Sequence, residues 1–141
     1  MHTIKKLALE ILIGDDLFLE FMTRYTVVPS LTQRLQEGIL DYTVNVSTET
    51  DPEKVIQRAR QYDVVVTDLD YTGDGTGRQG FQIVDAVAQM NPKPLLILCT
   101  SSDRHAEIKE RTAGKVDYVA GLGADQKFED LIGKLIQHYS S

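Results

Sequence analysis

The sequence predicts an α/β fold in which a parallel sheet is covered by helices on both faces. Five short strand-like runs alternate with segments of helical periodicity, and three of those runs end in acidic or hydroxyl residues. Continuous apolar runs are typical of parallel strands that are buried on both faces. Their alternation with helices predicts a doubly wound sheet, whose ligands bind at the carboxyl ends of the strands.

The strands are predicted near residues 9–14, 42–47, 63–68, 95–100 and 116–120. Val, Ile and Leu are common in these runs and favour strands. The pattern contains no linker and no internal repeat, so we expect residues 1–141 to form a single domain.

Helices are predicted between the strands. Asp51-Pro52 opens one of them, with Asp51 or Thr50 as its cap, since Asp and Thr are good caps and Pro is tolerated in the first turn. The segment 104–113 has little apolar material, so we expect its helix to pack weakly. The expected buried positions of the other helices are Val55, Ile56 and Ala59, then Phe81, Val84, Val87 and Ala88, and finally Phe128, Leu131, Ile132 and Leu135.

The first helix is predicted to be in two parts. It should begin after Asp16, with Leu17, Phe18, Phe21 and Met22 as its apolar surface. Pro29 should interrupt it, because proline lacks an N–H and restricts the residue before it. The segment 30–33 then fits a capping box that restarts a helix.

Composition limits the classes of function. The 141 residues are 42% hydrophobic and 26% charged, with a net charge of -6, which is typical of a globular protein and argues against bulk nucleic-acid binding. No apolar run reaches membrane-spanning length, and the N-terminus lacks a signal-peptide pattern. The lone Cys99 lies in an apolar run, where a buried thiol is expected. These features favour the cytoplasm.

Polar residues follow three of the predicted strands. Asp15 and Asp16 follow the first, Asp68 ends the third with Asp70 two residues later, and Thr100 follows the fourth. Because parallel strands end along one edge, these side chains should converge there. Mg²⁺ prefers such oxygen ligands, and adjacent carboxylates repel each other unless a cation neutralises them. The alternative for the first pair is a helix cap.

These motifs resemble those of the CheY-like receiver domains of two-component response regulators, over nearly the whole chain. The resemblance rests on Ile-Leu-Ile-Gly-Asp15-Asp16, Val-Val-Val-Thr-Asp68-Leu-Asp70, Leu-Ile-Leu-Cys-Thr100 and Asp-Tyr118. It implies a flavodoxin-like sheet with strand order 2-1-3-4-5, flanked by helices.

The resemblance also implies roles for the acidic residues. Asp16 would bind Mg²⁺ directly, Asp15 would bind it through water, and Asp70 would contribute its backbone carbonyl. Asp68 would be both a metal ligand and the phosphoacceptor.

Two further residues would form the switch of a receiver. The Thr100 hydroxyl would bond a phosphoryl oxygen, and Tyr118 would move with it. The alternatives for Thr100 are a plain strand-end hydroxyl or the start of a helix cap that runs to Asp103. The alternative for Tyr118 is an ordinary strand aromatic.

The sequence departs from the receiver pattern at the strand-five lysine, whose position is Gly121. A cation beside the phosphoryl group stabilises it strongly by electrostatics, so the absence of this lysine predicts a weakened switch. Lys115 and Lys127 are near in sequence, and Arg78 lies in a long glycine-rich loop that lacks the P-loop Gly-Lys-Ser/Thr. Gly121→Lys is expected to strengthen the response if the backbone accepts a side chain.

The expected function is that of a stand-alone signalling domain rather than an enzyme. It would take a phosphoryl group from a histidine kinase or phosphotransfer protein and bind a downstream protein partner through helix four, strand five and helix five. One alternative is a pseudo-receiver that binds partners without phosphorylation. Another is a haloacid-dehalogenase-type phosphatase, since Asp68-Leu-Asp70-Tyr-Thr72 fits its Asp-x-Asp-x-Thr motif, although too little chain follows for that fold.

Overall fold

Five parallel strands form one sheet in the computed structural model, which describes residues 7–16, 21–71, 77–122 and 126–140, without the side chains of 21–24. Their order is β2-β1-β3-β4-β5, and every neighbouring pair is parallel. The doubly wound fold and the strand order 2-1-3-4-5 are confirmed. The strands are β1 (Leu7–Gly14), β2 (Tyr42–Glu49), β3 (Val64–Thr67), β4 (Leu95–Cys99) and β5 (Tyr118–Ala120).

Helices follow the strands in alternation. Asp51 caps the second helix by accepting the Glu53 N–H at 3.0 Å, with Pro52 at its first position as predicted. A 3-10 turn over Ala59–Gln61 continues that helix. The α-helices among the described residues are α1 (Phe21–Gly38), α2 (Pro52–Arg58), α3 (Arg78–Ala88), α4 (His105–Thr112) and α5 (Lys127–Ser140).

The two faces of the sheet carry separate hydrophobic layers. Ile11 and Ile13 of β1 pack in the layer that contains α1 and α5, whereas Leu12 packs in the layer that contains α2 and α3. This alternation follows from the two-residue period of a strand. The helix residues buried in these layers include Leu31, Leu35, Leu131 and Leu135 on one face, and Val55, Val84 and Val87 on the other.

The prediction of a two-part first helix is wrong, because α1 is continuous and Pro29 lies inside it. An interior proline costs a helix about 3 kcal/mol. Two features offset that cost. Pro29 is exposed, so water can hydrogen-bond to the backbone carbonyl one turn earlier. Val27, Val28 and Leu31, on both sides of it, pack against one core cluster. Leu17, Phe18 and the side chains of residues 21–24 lie outside the described residues.

Helix α4 buries little, as its composition predicted. Ile108 and Thr112 are its buried residues, and Ile108 packs with Leu98 of β4 and Phe81 of α3. Cys99 is buried, and burial raises the pKa of its thiol to about 12. The thiol therefore stays protonated at neutral pH.

Candidate functional site

Backbone hydrogen bonds place three functional residues at one edge of the sheet. The Asp15 N–H donates to the Glu49 carbonyl at 3.0 Å, and the Asp68 N–H donates to the Gly14 carbonyl at 2.8 Å. The Thr100 N–H donates in the same way to the Ala120 carbonyl at 2.9 Å. Each residue therefore lies one position beyond a strand, at the carboxyl edge where ligands bind in doubly wound sheets.

The predicted acidic residues meet at this edge. Carboxylate oxygens of Asp15, Asp16 and Asp68 lie within 4.8 Å of one another. Asp15 is 2% exposed and Asp68 is 9% exposed, while Asp16 is half-buried. Asp68 is further fixed by its own loop, because the Leu69 N–H donates to its Oδ1 at 2.8 Å.

Crowding and burial oppose the ionisation of this cluster. Burial, together with the charge of Asp15, raises the pKa of Asp68 to about 6 against the attraction of the nearby Lys127. Burial also raises the pKa of Asp16, and the neighbouring Asp15 adds to that shift. A cation held among these oxygens would favour their charged forms.

Lys127 reaches into the acidic cluster from the first turn of α5. Its Nζ lies 2.6 Å from Oδ2 of Asp15 and 3.3 Å from Oδ1 of Asp68, and its side chain is 12% exposed. Burial favours a lower pKa for Lys127, but the charges of Asp15 and Asp68 outweigh it and raise that pKa. From the sequence, Lys127 was only one of several nearby cations, because sequence spacing does not show how close the start of α5 comes to the acidic residues.

Gly121 explains how Lys127 gains this position. The backbone at Gly121 has a φ of 90°, and a Cβ added there would lie 2.6 Å from the Cβ of Lys127 and 2.7 Å from the Thr100 carbonyl oxygen. Glycine therefore lets the start of α5 approach the ends of β4 and β5. The space that a strand-five side chain would fill is occupied by Lys127.

Asp130 holds the Gly121 turn against α5. Its Oδ2 accepts the Gly121 N–H at 2.7 Å, and both of its carboxylate oxygens pair with Lys134 at 2.9 Å. The hydrogen bond from Gly121, aided by Lys134, holds the pKa of Asp130 below its ordinary value.

Asp130→Asn is therefore expected to lower the free energy of unfolding at pH 7 by about 1 kcal/mol. Because the pKa of Asp130 is lowered in the folded protein, its contribution exists above the unfolded pKa of about 4 and disappears as pH falls through the folded value. Urea unfolding of both proteins should show a difference that narrows below about pH 4. Lys134→Met, which removes only the half-buried charge pair with Asp130, should cost less than about 0.5 kcal/mol. Equal effects of the two changes would mean that the Gly121 contact is unimportant.

The two predicted switch residues have different hydrogen-bond partners. Thr100 is 4% exposed and lines a cleft of about 740 Å³ together with Asp16, Asp68 and Lys127. Its hydroxyl accepts the N–H of Ser102 at 3.1 Å. The Tyr118 hydroxyl instead lies 2.8 Å from Nδ1 of His138. That histidine is about 16 Å along α5 from Lys127, at 1.5 Å per residue.

The remaining candidate residues occupy different positions. Lys115 pairs with Asp85 of α3 at 2.6 Å, and Arg78 is the first residue of α3. Asp70 lines the same cleft as Asp68. Residues 72–76, which include Thr72 and half of the glycine-rich segment 71–80, lie outside the described residues.

The donor chemistry of the cluster fits a hard divalent cation. Asp15, Asp16 and Asp68 supply carboxylate oxygens, which are ligands that Mg²⁺ favours. Burial, and then the charge of Asp15, raise the pKa of both Asp16 and Asp68, so a bound cation would favour the ionised forms of these groups.

Solved structures share this fold, although no protein-family model and no curated protein matches the sequence. The BeF3-activated receiver domain of DrrB has a TM-score of 0.64 and 16% identity, over 96% of this chain and 100% of that chain. The chemotaxis response regulator CheY4 of Vibrio cholerae has a TM-score of 0.60 and 18% identity, over 94% and 98%. The receiver domain of the Pseudomonas aeruginosa sensor histidine kinase PA1611, solved with a magnesium ion in its active-site cleft, has a TM-score of 0.63 and 14% identity, over 95% and 99%.

The chain therefore has the CheY-like fold of response-regulator receiver domains, and the resemblance drawn from the sequence is confirmed at the level of the fold. The chain spans about half (54%) of the longer Thermotoga maritima regulator DrrB. The described helices include none that is long and apolar enough to cross a membrane.

Proposed function

We propose that this protein is a response-regulator receiver that accepts a phosphoryl group on Asp68. The observation that carries the proposal is the convergence of Asp15, Asp16 and Asp68 at the carboxyl edge of the sheet, with Lys127 among them. The donor would be a phosphohistidine of a histidine kinase or phosphotransfer protein. The output would be the binding of a downstream protein partner at the face formed by α4, β5 and α5.

The transfer would be a displacement at phosphorus. An oxygen of ionised Asp68 attacks the phosphorus atom and forms a new O–P bond. The P–N bond to the donor histidine breaks, and its electron pair leaves with the imidazole, which takes a proton from solvent. Burial raises the pKa of Asp68 to about 6, so the nucleophilic carboxylate predominates above that pH.

Mg²⁺ is the cofactor that this donor set supports. Asp15, Asp16 and Asp68, with the backbone carbonyl of Asp70, would hold it. When bound, it would neutralise negative charge on the cluster and on the transferred group. Thr100 would supply a hydroxyl to the phosphoryl oxygens from its buried position on the cleft.

The test is intact-mass analysis after incubation with Mg²⁺ and acetyl phosphate, in which the P–O bond breaks and acetate leaves. A single phosphoryl adduct that requires Mg²⁺ supports the receiver. No adduct supports a pseudo-receiver, and continuous hydrolysis of the donor without a stable adduct supports a phosphatase.

Removal of one charge from the cluster should stabilise the metal-free protein. Asp16→Asn is expected to raise the free energy of unfolding by about 0.5 kcal/mol, which is roughly 2 °C in melting temperature, because burial and Asp15 oppose ionisation of Asp16. The unmodified protein should gain stability on addition of millimolar Mg²⁺, and the variant should gain much less. Thermal melting with and without Mg²⁺ measures both effects. An unchanged Mg²⁺ response in the variant would exclude Asp16 from the metal site.

A further inference from the structure

Lys127 lies where its ammonium can neutralise a carboxylate of the acidic cluster or contact a phosphoryl group. Its ammonium is the partner of Asp15 at 2.6 Å, yet it is also 3.3 Å from the carboxylate proposed to accept the phosphoryl group. Both carboxylates belong to the cluster whose oxygens suit a divalent cation. One buried cation thus contacts two of the three groups that the metal would use.

We propose that Lys127 is a resident counterion of the acidic cluster, which leaves Asp15 when Mg²⁺ binds and then contacts the phosphoryl group on Asp68. The inference rests on the proposed function and deepens it. It assigns the phosphoryl contact to the first turn of α5 instead of to the end of β5.

Electrostatics supports the first half of this exchange. The Lys127 side chain is 12% exposed, so burial costs its ammonium hydration, and the carboxylates of Asp15 and Asp68 compensate for that loss. A divalent cation bound to the same oxygens would repel the ammonium and offset the attraction that holds it at Asp15.

Geometry supports the second half. A phosphoryl group on Asp68 places three acceptor oxygens, with close to two negative charges, beside Nζ of Lys127. The lysine stem is flexible, so Nζ can move from Asp15 to these oxygens while the backbone of α5 stays in place. Gly121 leaves this space to Lys127, since any Cβ there would collide with it.

Lys127→Met tests the proposal, because it keeps the length of the stem and removes the charge. Without its competitor, Mg²⁺ should bind the variant severalfold more tightly in a calorimetric titration. At saturating Mg²⁺, the affinity for BeF3⁻, a phosphoryl mimic, should fall by about ten- to a hundredfold, the range expected for loss of a hydrogen bond between charged groups. A rise in Mg²⁺ affinity together with a fall in BeF3⁻ affinity distinguishes the proposed exchange from general damage to the site, which would lower both.

Lys115→Met is the matched control, since Lys115 pairs with Asp85 on the surface and should change neither affinity. Lys127→Arg keeps the charge and should recover most of the lost BeF3⁻ affinity. Circular dichroism with Mg²⁺ present establishes that the compared proteins are folded. If Lys127→Met does not fold, the comparison of Lys127→Arg with the unmodified protein decides, and full loss of BeF3⁻ binding despite the retained charge overturns the assignment.

The outcomes separate the two proposals. If the unmodified protein binds BeF3⁻ and Lys127→Met binds it equally well, the role of Lys127 is wrong and the receiver function stands. Parallel weakening of Mg²⁺ and BeF3⁻ binding would show a structural role only, and would overturn the exchange. Failure of the unmodified protein to bind BeF3⁻ or to form an adduct overturns the proposed function, and with it the inference.

Discussion

Asp68→Asn should abolish the phosphoryl adduct, whereas Asp70→Asn should leave most of it. Asp68 directly follows β3, is 9% exposed and has a carboxylate within the acidic cluster. An amide at this position is a poor nucleophile, so the loss should be complete within the detection limit of intact-mass analysis. Asp70 is two residues further along the loop, and the receiver resemblance assigns it only a backbone carbonyl, which the substitution preserves.

The measurement compares adduct yield at equal Mg²⁺ and acetyl phosphate above pH 7, where Asp68 is ionised given its pKa of about 6. Peptide mapping of the unmodified protein should place the added mass on the segment that contains Asp68. Loss of the adduct only in Asp70→Asn would reverse the assignment. Equal loss of the adduct from both variants would also overturn the assignment.

Gly121→Lys should unfold or strongly destabilise the protein, contrary to the expectation from sequence that it would strengthen the response. That expectation required a backbone able to accept a side chain, and the structure does not meet the condition. The new Cβ would lie 2.6 Å from the Lys127 Cβ and 2.7 Å from the Thr100 carbonyl oxygen, at a φ of 90°. Backbone strain and overpacking together should cost about 3 kcal/mol.

Substitutions at two other glycines, followed by urea unfolding, separate the cost of backbone strain from the cost of overpacking. Gly114 has a φ of 74° but open space around it, so Gly114→Ala should cost only about 1 kcal/mol. Gly133 lies in α5 with no atom near its added Cβ and no unusual φ, so Gly133→Ala should stabilise by about 0.5–1 kcal/mol. A Gly121→Ala variant as stable as the unmodified protein would show that α5 can withdraw, and would reopen the strand-five position to a lysine.

The order of strands and helices could be predicted because it depends on local patterns. Buried parallel strands require continuous apolar runs, and amphipathic helices require a stripe at helical spacing, so both appear directly in the residues. The first helix was predicted wrongly for the opposite reason. Pro29 breaks a local rule, and the burial of Val28 and Leu31 against the sheet, which no local pattern reveals, outweighs it.

The convergence of Asp15, Asp16 and Asp68 was determined by the sequence itself, since each follows a parallel strand and such strands end along one edge. The identity of the neighbouring cation was decided only by the tertiary structure. Among Arg78, Lys115 and Lys127, all close in sequence to the site, the return of α5 over Gly121 brings the ammonium of Lys127 to the carboxylates. That return depends on a positive φ at Gly121, on its hydrogen bond to Asp130 and on helix packing, which act between residues that no spacing rule connects.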